Sequence, residues 1–233
     1  MNGPDDEIAS RIQAPGAPAG ILAHQLGETV ALLDGYSAAL AHAERLDADA
    51  RNAIAMIGVA TRRLRRCAED LTRLASSGPA PAAGAVSDPS RALTEALATL
   101  RSDPDASDLN VQAGPLPAVA ADEDDLRTVF LELLRAVAAA AWHTGAAARV
   151  RVTGTREDRE ARISVTDDAP APSDPERLFE PGAPPRGRGP MVGAGVSGAI
   201  CRRIVESYGG RIVARRADAE GVEVQIALPA ATA

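Results

Sequence analysis

The sequence of 233 residues predicts an α+β fold, in which a hairpin of two long helices is followed by an α/β sandwich with one sheet covered on one face. Apolar residues recur every three or four positions over residues 19–78, which is typical of amphipathic helices. Residues 79–90 are rich in Pro, Gly and Ala and predict a linker, and alternating segments within residues 91–233 predict strands. Residues 1–18 contain three prolines and are expected to form a disordered lead.

The two helices of the hairpin each carry one apolar stripe. The first helix is expected to end near residue 45, and the break at residues 46–49 offers an aspartate N-cap for the second, which continues to about Ser77. A single hairpin of this kind buries little surface, so pairing with a second copy into a four-helix bundle is favoured over packing against the rest of the chain. The stripes consist of Leu22, Leu26, Val30, Leu33, Tyr36 and Leu40, and of Ile54, Ile57, Thr61, Leu64, Ala68, Leu71 and Leu74.

Beyond the linker, helical and strand patterns alternate. The strands pair mainly as hairpins, which favours one sheet with helices on one face. Helices are predicted at Ser90–Arg101, Glu123–Trp142 and Ser197–Tyr208. Strands are predicted at Leu109–Ala113, Ala148–Gly154, Glu160–Thr166, Arg211–Arg215 and Gly221–Leu228, with a charged turn at 156–159.

The composition excludes several classes of function. The net charge is −7, there are five Phe, Tyr and Trp residues in total, and all 25 basic residues are arginine. An acidic chain with so few aromatic rings is a poor candidate for binding nucleic acid. Without lysine, a Schiff-base enzyme, a P-loop and a protein-kinase site are excluded.

Cysteine usage and hydropathy indicate a cytoplasmic protein that does not bind a membrane. Cys67 and Cys201 fall in two different predicted helices, so they are read as buried thiols that form neither a disulfide nor a metal site. The sequence begins without a signal-peptide pattern, and no uncharged apolar run approaches the ~18 residues of a membrane span.

Two features offer chemistry. His24 lies off the apolar stripe and therefore faces outward, where an imidazole is either a plain surface group or a nucleophile. Residues 193–198 fit G-x-G-x-x-G, but a loop precedes them rather than a strand, which argues against a dinucleotide site. Glycines at a helix N-terminus can still hold an anion.

Six motifs follow one another in a defined order over residues 20–230. They are HQLGETV at 24–30, LDADAR at 46–51, LRTVFLELL at 126–134, ISVTD at 163–167, LFEP at 178–181 and GAGVSGAICRRIVESYGG at 193–210. The six motifs resemble, in the same order, six motifs of sensor histidine kinases: the phosphoacceptor box, the start of the second hairpin helix, the N-box, the strand ending in the adenine-binding Asp, the F-box and the second glycine box. Within that family, the resemblance is strongest to phytochrome-like kinases. The resemblance implies a dimerisation and phosphotransfer (DHp) hairpin followed by a GHKL-type ATPase-like domain.

The departures from the family pattern fall in the ATP-binding motifs. Where the N-box carries the Mg²⁺-binding Asn and a basic residue, this chain has Ala136 and Ala139, with Glu132 replacing the first Asn. The first glycine box stands as Asp-Asp-Ala-Pro-Ala at 167–171, so both of its glycines are lost. The resemblance therefore implies that Asp167, Gly193 and Gly195 form a vestigial nucleotide site, without a metal and with ATP binding weak or absent.

In kinases an acidic residue follows the acceptor histidine, whereas this chain has Gln25 at that position. The side-chain amide of glutamine cannot accept the proton that autophosphorylation releases. With His24 retained, the combination resembles a histidine phosphotransferase built on a kinase scaffold. His24 would carry the phosphoryl group between receiver-domain aspartates, with Gln25 and Glu28 adjoining the ring and the receiver supplying Mg²⁺. The implied partners are response-regulator receivers, an upstream hybrid kinase and a second copy of the chain.

Two alternatives stay open. One is a divergent ATP-dependent histidine kinase that uses Asp167 and a substitute Mg²⁺ ligand such as Glu132. The other is a non-catalytic pseudokinase scaffold that binds a kinase or a response regulator.

Overall fold

The computed structural model describes residues 17–41, 47–75, 85–103, 109–141, 147–180, 183, 186, 197–217 and 221–231. The chain divides into two compact units, Met1–Gly78 and Pro79–Ala233.

The first unit contains two helices, α1 (Ala17–Ala41) and α2 (Ala48–Ala75). They run antiparallel, since Ser37 donates to the Ile54 carbonyl (3.2 Å) while Asp34, nearer the start of α1, contacts Thr61 and Arg65 farther along α2. α2 begins where the sequence offers an N-cap, because Asp47 Oδ1 accepts from the Ala50 amide at 2.7 Å.

The predicted apolar stripe of the hairpin divides into two. One half packs between the helices and is buried: Val30, Ile54, Thr61 and Ala68. The other half remains exposed: Leu26, Leu33, Leu40, Ile57 and Leu64 are each 41–50% accessible, and Tyr36 is 68% accessible. The side chains of Leu22, Leu71 and Leu74 lie outside the described part of the structure. On each helix the buried residues and the exposed Leu and Ile residues form two separate rows with a seven-residue spacing, about 60° apart around the helix axis. Only one of these rows can face the other helix of the hairpin, so the second row stays exposed.

The second unit is an α+β sandwich, which confirms the fold class predicted from the sequence. Its elements are α3 (Pro89–Arg101), β1 (Leu109–Ala113), α4 (Glu123–Ala141), β2 (Ala148–Glu157), β3 (Glu160–Asp167), a 3-10 helix (Pro175–Phe179), α5 (Ser197–Ser207), β4 (Arg211–Arg216) and β5 (Val222–Pro229). The sheet order is β1-β2-β3-β5-β4, with β1 and β2 parallel and the other pairs antiparallel.

The core lies between one face of this sheet and the three helices. Alternation along the strands places Val150 and Val152 of β2 and Ile163 of β3 in it, beneath Phe130 and Leu134 of α4. The opposite face of the sheet carries polar side chains. The sheet is therefore covered on one face, as the alternating pattern predicts.

The β2–β3 hairpin is longer than its sequence pattern predicts. Glu157 pairs directly with Glu160, so the turn contains only Asp158 and Arg159. Asp158 has a φ of 50°, a conformation that aspartate tolerates better than most residues.

Candidate functional site

The predicted phosphoacceptor lies within α1. The backbone of His24, Gln25 and Glu28 is helical, and their side chains lie outside the described part of the structure. By the helical repeat, position 24 shares a face with Ala31 and Gly35, about 170° away from the exposed leucine row at Leu26 and Leu33.

The face that carries position 24 is open. Ala31 and Gly35 are exposed, and a Cβ atom built on Gly27 or Gly35 would meet nothing within 4 Å. This surface has small side chains and no neighbouring element of the first unit against it among the described residues. A partner helix can therefore approach its backbone closely.

Asp167 is the last residue of β3, and its side chain points to the helix-covered side of the sheet, where 2% of it is exposed. Its carboxylate is bound by Arg186 through two parallel hydrogen bonds, Nη1 to Oδ2 at 2.6 Å and Nη2 to Oδ1 at 2.5 Å. The Arg186 side chain is 4% exposed. A planar guanidinium bound bidentately in a dry environment is among the stronger contacts available to a carboxylate.

The chain after Asp167 folds back around this pair. The Ala169 amide donates to Asp167 Oδ1 at 2.9 Å, and Arg186 Nη2 also donates to the Ala169 carbonyl at 2.9 Å. Gly221 packs against the same strand end, where a Cβ would lie 1.7 Å from the Asp167 carbonyl oxygen, so only glycine fits. Asp167 is therefore held from several sides by its own chain.

α4 carries the positions that correspond to the N-box. Glu132 is buried, with 4% of its side chain exposed, and it accepts from Arg135 Nη1 at 2.9 Å, one turn farther on. Ala139 is buried in the core, so it presents no polar atom. The acidic side chain at the N-box position of this helix is thus engaged with a cation.

The positions that the resemblance assigns to adenine and to Mg²⁺ are engaged in contacts within this chain. The carboxylate that would receive an adenine amino group already holds a guanidinium, and the helix that would supply a Mg²⁺ ligand presents alanines and an ion-paired glutamate. Among the described residues, no group of three His, Cys, Asp or Glu side chains is arranged to hold a metal ion.

The glycine motif at 193–198 is divided by the limits of the described structure. Gly193 and Gly195 lie outside the described residues, so the structure does not bear on them. Gly198, in the first turn of α5, is needed for packing: a Cβ there would lie 1.9 Å from the Leu178 carbonyl oxygen of the 3-10 helix. Close packing therefore accounts for this glycine without an anion.

Sequence reasoning missed Arg186. It lies in the segment PGAPPRGRGP at 181–190, which contains two arginines in similar contexts, and nothing in the pattern distinguishes Arg186 from Arg188. A rule that a buried carboxylate needs a partner would have indicated that a cation was required, but not which one.

A second polar contact ties α5 to α4. The Tyr208 hydroxyl donates to Asp125 Oδ2 at 2.7 Å. Burial and this hydrogen bond to a carboxylate raise the pKa of Tyr208, so it remains a donor at neutral pH. The contact fixes the end of α5 and takes no part in the Asp167 site.

Residues 121–232 match the family model described as histidine kinase-, DNA gyrase B-, and HSP90-like ATPase. Two curated relatives are similar in sequence. The signal transduction histidine-protein kinase BaeS of Escherichia coli is 31% identical over 46% of this chain and 23% of its own length. The phytochrome-like protein Cph1 of Synechocystis is 25% identical over 90% of this chain and 28% of its own length. The chain thus spans about a quarter of these relatives.

Solved structures share the fold. Full-length ShkA, in complex with AMPPNP, aligns with 93% of this chain and 46% of its own at a TM-score of 0.65 and 24% identity. The Acinetobacter baumannii histidine kinase AdeS aligns over 90% of this chain and 98% of its own chain, with a TM-score of 0.56 and 14% sequence identity. Among the described helices, none combines the length and apolar character that crossing a bilayer requires.

Proposed function

We propose that the protein is a histidine phosphotransferase of a two-component phosphorelay, since residues 121–232 match the histidine kinase-, DNA gyrase B-, and HSP90-like ATPase model and full-length ShkA shares the fold of the chain. This protein takes a phosphoryl group from the aspartate of one response-regulator receiver onto His24 and passes it to a second receiver. The ATPase-like unit serves as structure and does not bind nucleotide.

The observation that carries this proposal is the Asp167–Arg186 pair. A nucleotide would have to displace a guanidinium that makes two hydrogen bonds of 2.5–2.6 Å in a nearly dry environment. Removing one partner of a buried ion pair costs ~3–5 kcal/mol, because the other charge is left without compensation. A micromolar site is worth about 8 kcal/mol in total, so this cost alone moves ATP binding toward the millimolar range.

The transfer itself requires little of this protein. A lone pair of the neutral His24 imidazole attacks the phosphorus of the receiver's acyl phosphate, and the P–O bond breaks as the P–N bond forms. The receiver carboxylate leaves with the bonding electrons, and the imidazolium keeps its own N–H proton. Return of the group to a second receiver reverses the same step. Gln25 and Glu28 would lie beside the ring and orient it.

The hairpin supports this chemistry by exposure and by shape. Position 24 shares its helix face with Ala31 and Gly35, where the helix backbone is accessible. A receiver must bring its phosphorylated aspartate within bonding distance of the imidazole, and small neighbours allow that approach.

The exposed leucine row is proposed to pair with a second copy of the chain in a four-helix bundle. Leu33 and Ile57 are each more than 40% exposed. Burying both rows in a dimer removes apolar surface at ~25 cal/mol per Å². A homodimer is therefore the expected solution state.

A charge within this row is expected to dissociate the dimer. In a dimer of Leu33→Asp, each of the two copies places one carboxylate at the centre of the proposed interface. Because each buried charge costs several kcal/mol, the apparent dimer dissociation constant should rise by ~100-fold or more. Light scattering after size exclusion measures the mass. Ala55→Asp, on the exposed side of α2 away from the row, is the matched control and should stay dimeric. A dimer that survives Leu33→Asp would exclude this interface.

A divergent histidine kinase is the second candidate, because Asp167 is retained at the end of β3 and the curated relatives include a histidine-protein kinase. Calorimetric titration with Mg-ATP separates the two functions. The proposal expects no binding heat up to about 1 mM nucleotide. Micromolar binding that Asp167→Asn abolishes would contradict it and favour the kinase, which label transferred from ATP to His24 would then establish.

A further inference from the structure

The polar face of the sheet carries a broad depression on the side away from the helices, and Asp167, at the end of β3, lies at its edge. The volume of the depression is about 720 Å³, and residues of all five strands line it. The strand register aligns Gln112, Arg151 and Thr166 directly across β1, β2 and β3. Each contributes a side chain to the same face, because successive residues of a strand alternate in direction.

The carboxylates that line this face are already neutralised. Glu223 accepts from Ser164 at 2.6 Å, from Gln225 at 3.0 Å and from Arg215 at 2.9 Å. The Ser164 hydrogen bond, followed by those from Gln225 and Arg215, holds the pKa of Glu223 below its usual range despite burial. This carboxylate is therefore ionised and paired.

Asp168 is paired in the same way. It accepts from the Arg149 side chain and from the Arg149 backbone amide, both at 2.7 Å. Burial opposes its ionisation, but these hydrogen bonds outweigh it and lower the pKa of Asp168. Neither carboxylate has charge left to repel an incoming anion.

Two positive charges remain without a carboxylate. Among the described residues, the exposed Arg151 side chain, which lines the depression, has no hydrogen-bond or ion-pair partner. Arg216 is also exposed and donates only to neutral groups, the carbonyl oxygens of Pro172 at 2.9 Å and Ser173 at 3.5 Å. On a chain of net charge −7, this face is locally cationic.

We propose that the polar sheet face, centred on Arg151, docks an acidic segment of a partner protein. The Arg151 guanidinium would receive a carboxylate, and the Gln112 amide and Thr166 hydroxyl lie in register on either side to complete its hydrogen bonds.

The shape favours a polypeptide over a small molecule. Small-molecule sites enclose most of their ligand in a concave and largely apolar pocket. This depression extends over five strands, and its lining is dominated by arginines, amides and hydroxyls. It suits an extended acidic segment that makes several separate contacts.

The surface is independent of the proposed phosphotransfer. It lies on the second unit, uses none of the residues around His24, and requires no phosphoryl group. A binding measurement on the unphosphorylated protein therefore tests it alone, and its failure would leave the phosphotransferase proposal unaffected.

The test is fluorescence anisotropy of a short fluorescein-labelled oligoglutamate peptide with the full chain at low ionic strength. Arg151→Glu is expected to weaken binding at least ~10-fold, since it replaces the central cation by a like charge. Arg156→Glu is the matched control: it makes the same charge change on β2 outside the depression, and binding should stay within about twofold.

Four outcomes would overturn the proposal. They are no binding by the wild type, equal losses in the two variants, displacement of the peptide by inorganic phosphate at equal concentration, and tighter binding of duplex DNA than of the peptide. Equal losses would mean that net charge alone drives binding, and the last two would assign the face to a small anion or to nucleic acid. Circular dichroism of both variants confirms that each is folded.

Discussion

Replacement of His24 by glutamine is expected to reduce phosphoryl uptake from a phosphorylated receiver by ~10³-fold or more. Glutamine has a similar polar end but no nucleophilic ring nitrogen, and loss of the attacking atom removes the covalent step itself. The measurement uses receiver domains charged with acetyl phosphate and follows acid-labile, alkali-stable label on this chain. Because position 24 lies on an open helix face, the substitution should leave the hairpin folded.

The two other histidines supply the matched controls. His42→Gln and His143→Gln remove the same ring from the same chain and are expected to keep full uptake. Uptake that survives in His24→Gln, or that disappears in one of the controls instead, would place the phosphoacceptor elsewhere. Absence of uptake in every variant, wild type included, across a panel of receivers would favour the pseudokinase scaffold.

Replacement of Arg186 by alanine is expected to lower the free energy of unfolding by ~3–5 kcal/mol. The substitution leaves the Asp167 carboxylate buried with a single remaining hydrogen bond, from the Ala169 amide. Urea denaturation of the full chain, followed by circular dichroism, gives the difference. The variant is also expected not to bind ATP at micromolar concentration, because Ala136 and Ala139 offer no ligand for Mg²⁺ and Glu132 stays paired with Arg135.

The exposed ion pair Arg149–Asp168, at the open end of the β2–β3 hairpin, is the control for the loss of stability in Arg186→Ala. Arg149 binds Asp168 at 2.7 Å, but 79% of the arginine side chain is accessible, so Arg149→Ala should cost no more than ~1 kcal/mol. The double variant Asp167→Asn with Arg186→Met removes both charges and should be more stable than Arg186→Ala. Equal small losses for Arg186→Ala and Arg149→Ala would show that the buried pair does not stabilise the domain.

The secondary structure of this chain was predictable because its periodicities are clean. α3 to α5 and all five strands appear within a few residues of their predicted limits, since helical and alternating patterns act locally. The extra length of the β2–β3 hairpin was missed because Thr155, Arg156 and Glu157 are polar on both faces and so lack the alternation that marks a strand.

The candidate site was predictable only in part. Asp167 was found because it ends a recognisable strand, whereas Arg186 reaches it from a loop 19 positions away that has no periodic signal. Similarly, one linear stripe on each hairpin helix does not reveal which half faces the partner helix. The partner of Asp167 and the stripe residues that face the other helix are both determined by tertiary packing, which the periodicity of the sequence does not specify.

Transfer of label between two receivers tests directly whether this chain is a phosphotransferase. One receiver is charged with labelled phosphate and freed of donor, a second is added unlabelled, and this chain is supplied in catalytic amount without nucleotide. We expect label to reach the second receiver with the wild-type chain and not with His24→Gln. Transfer that is equal with both proteins, or that requires added ATP, would contradict it.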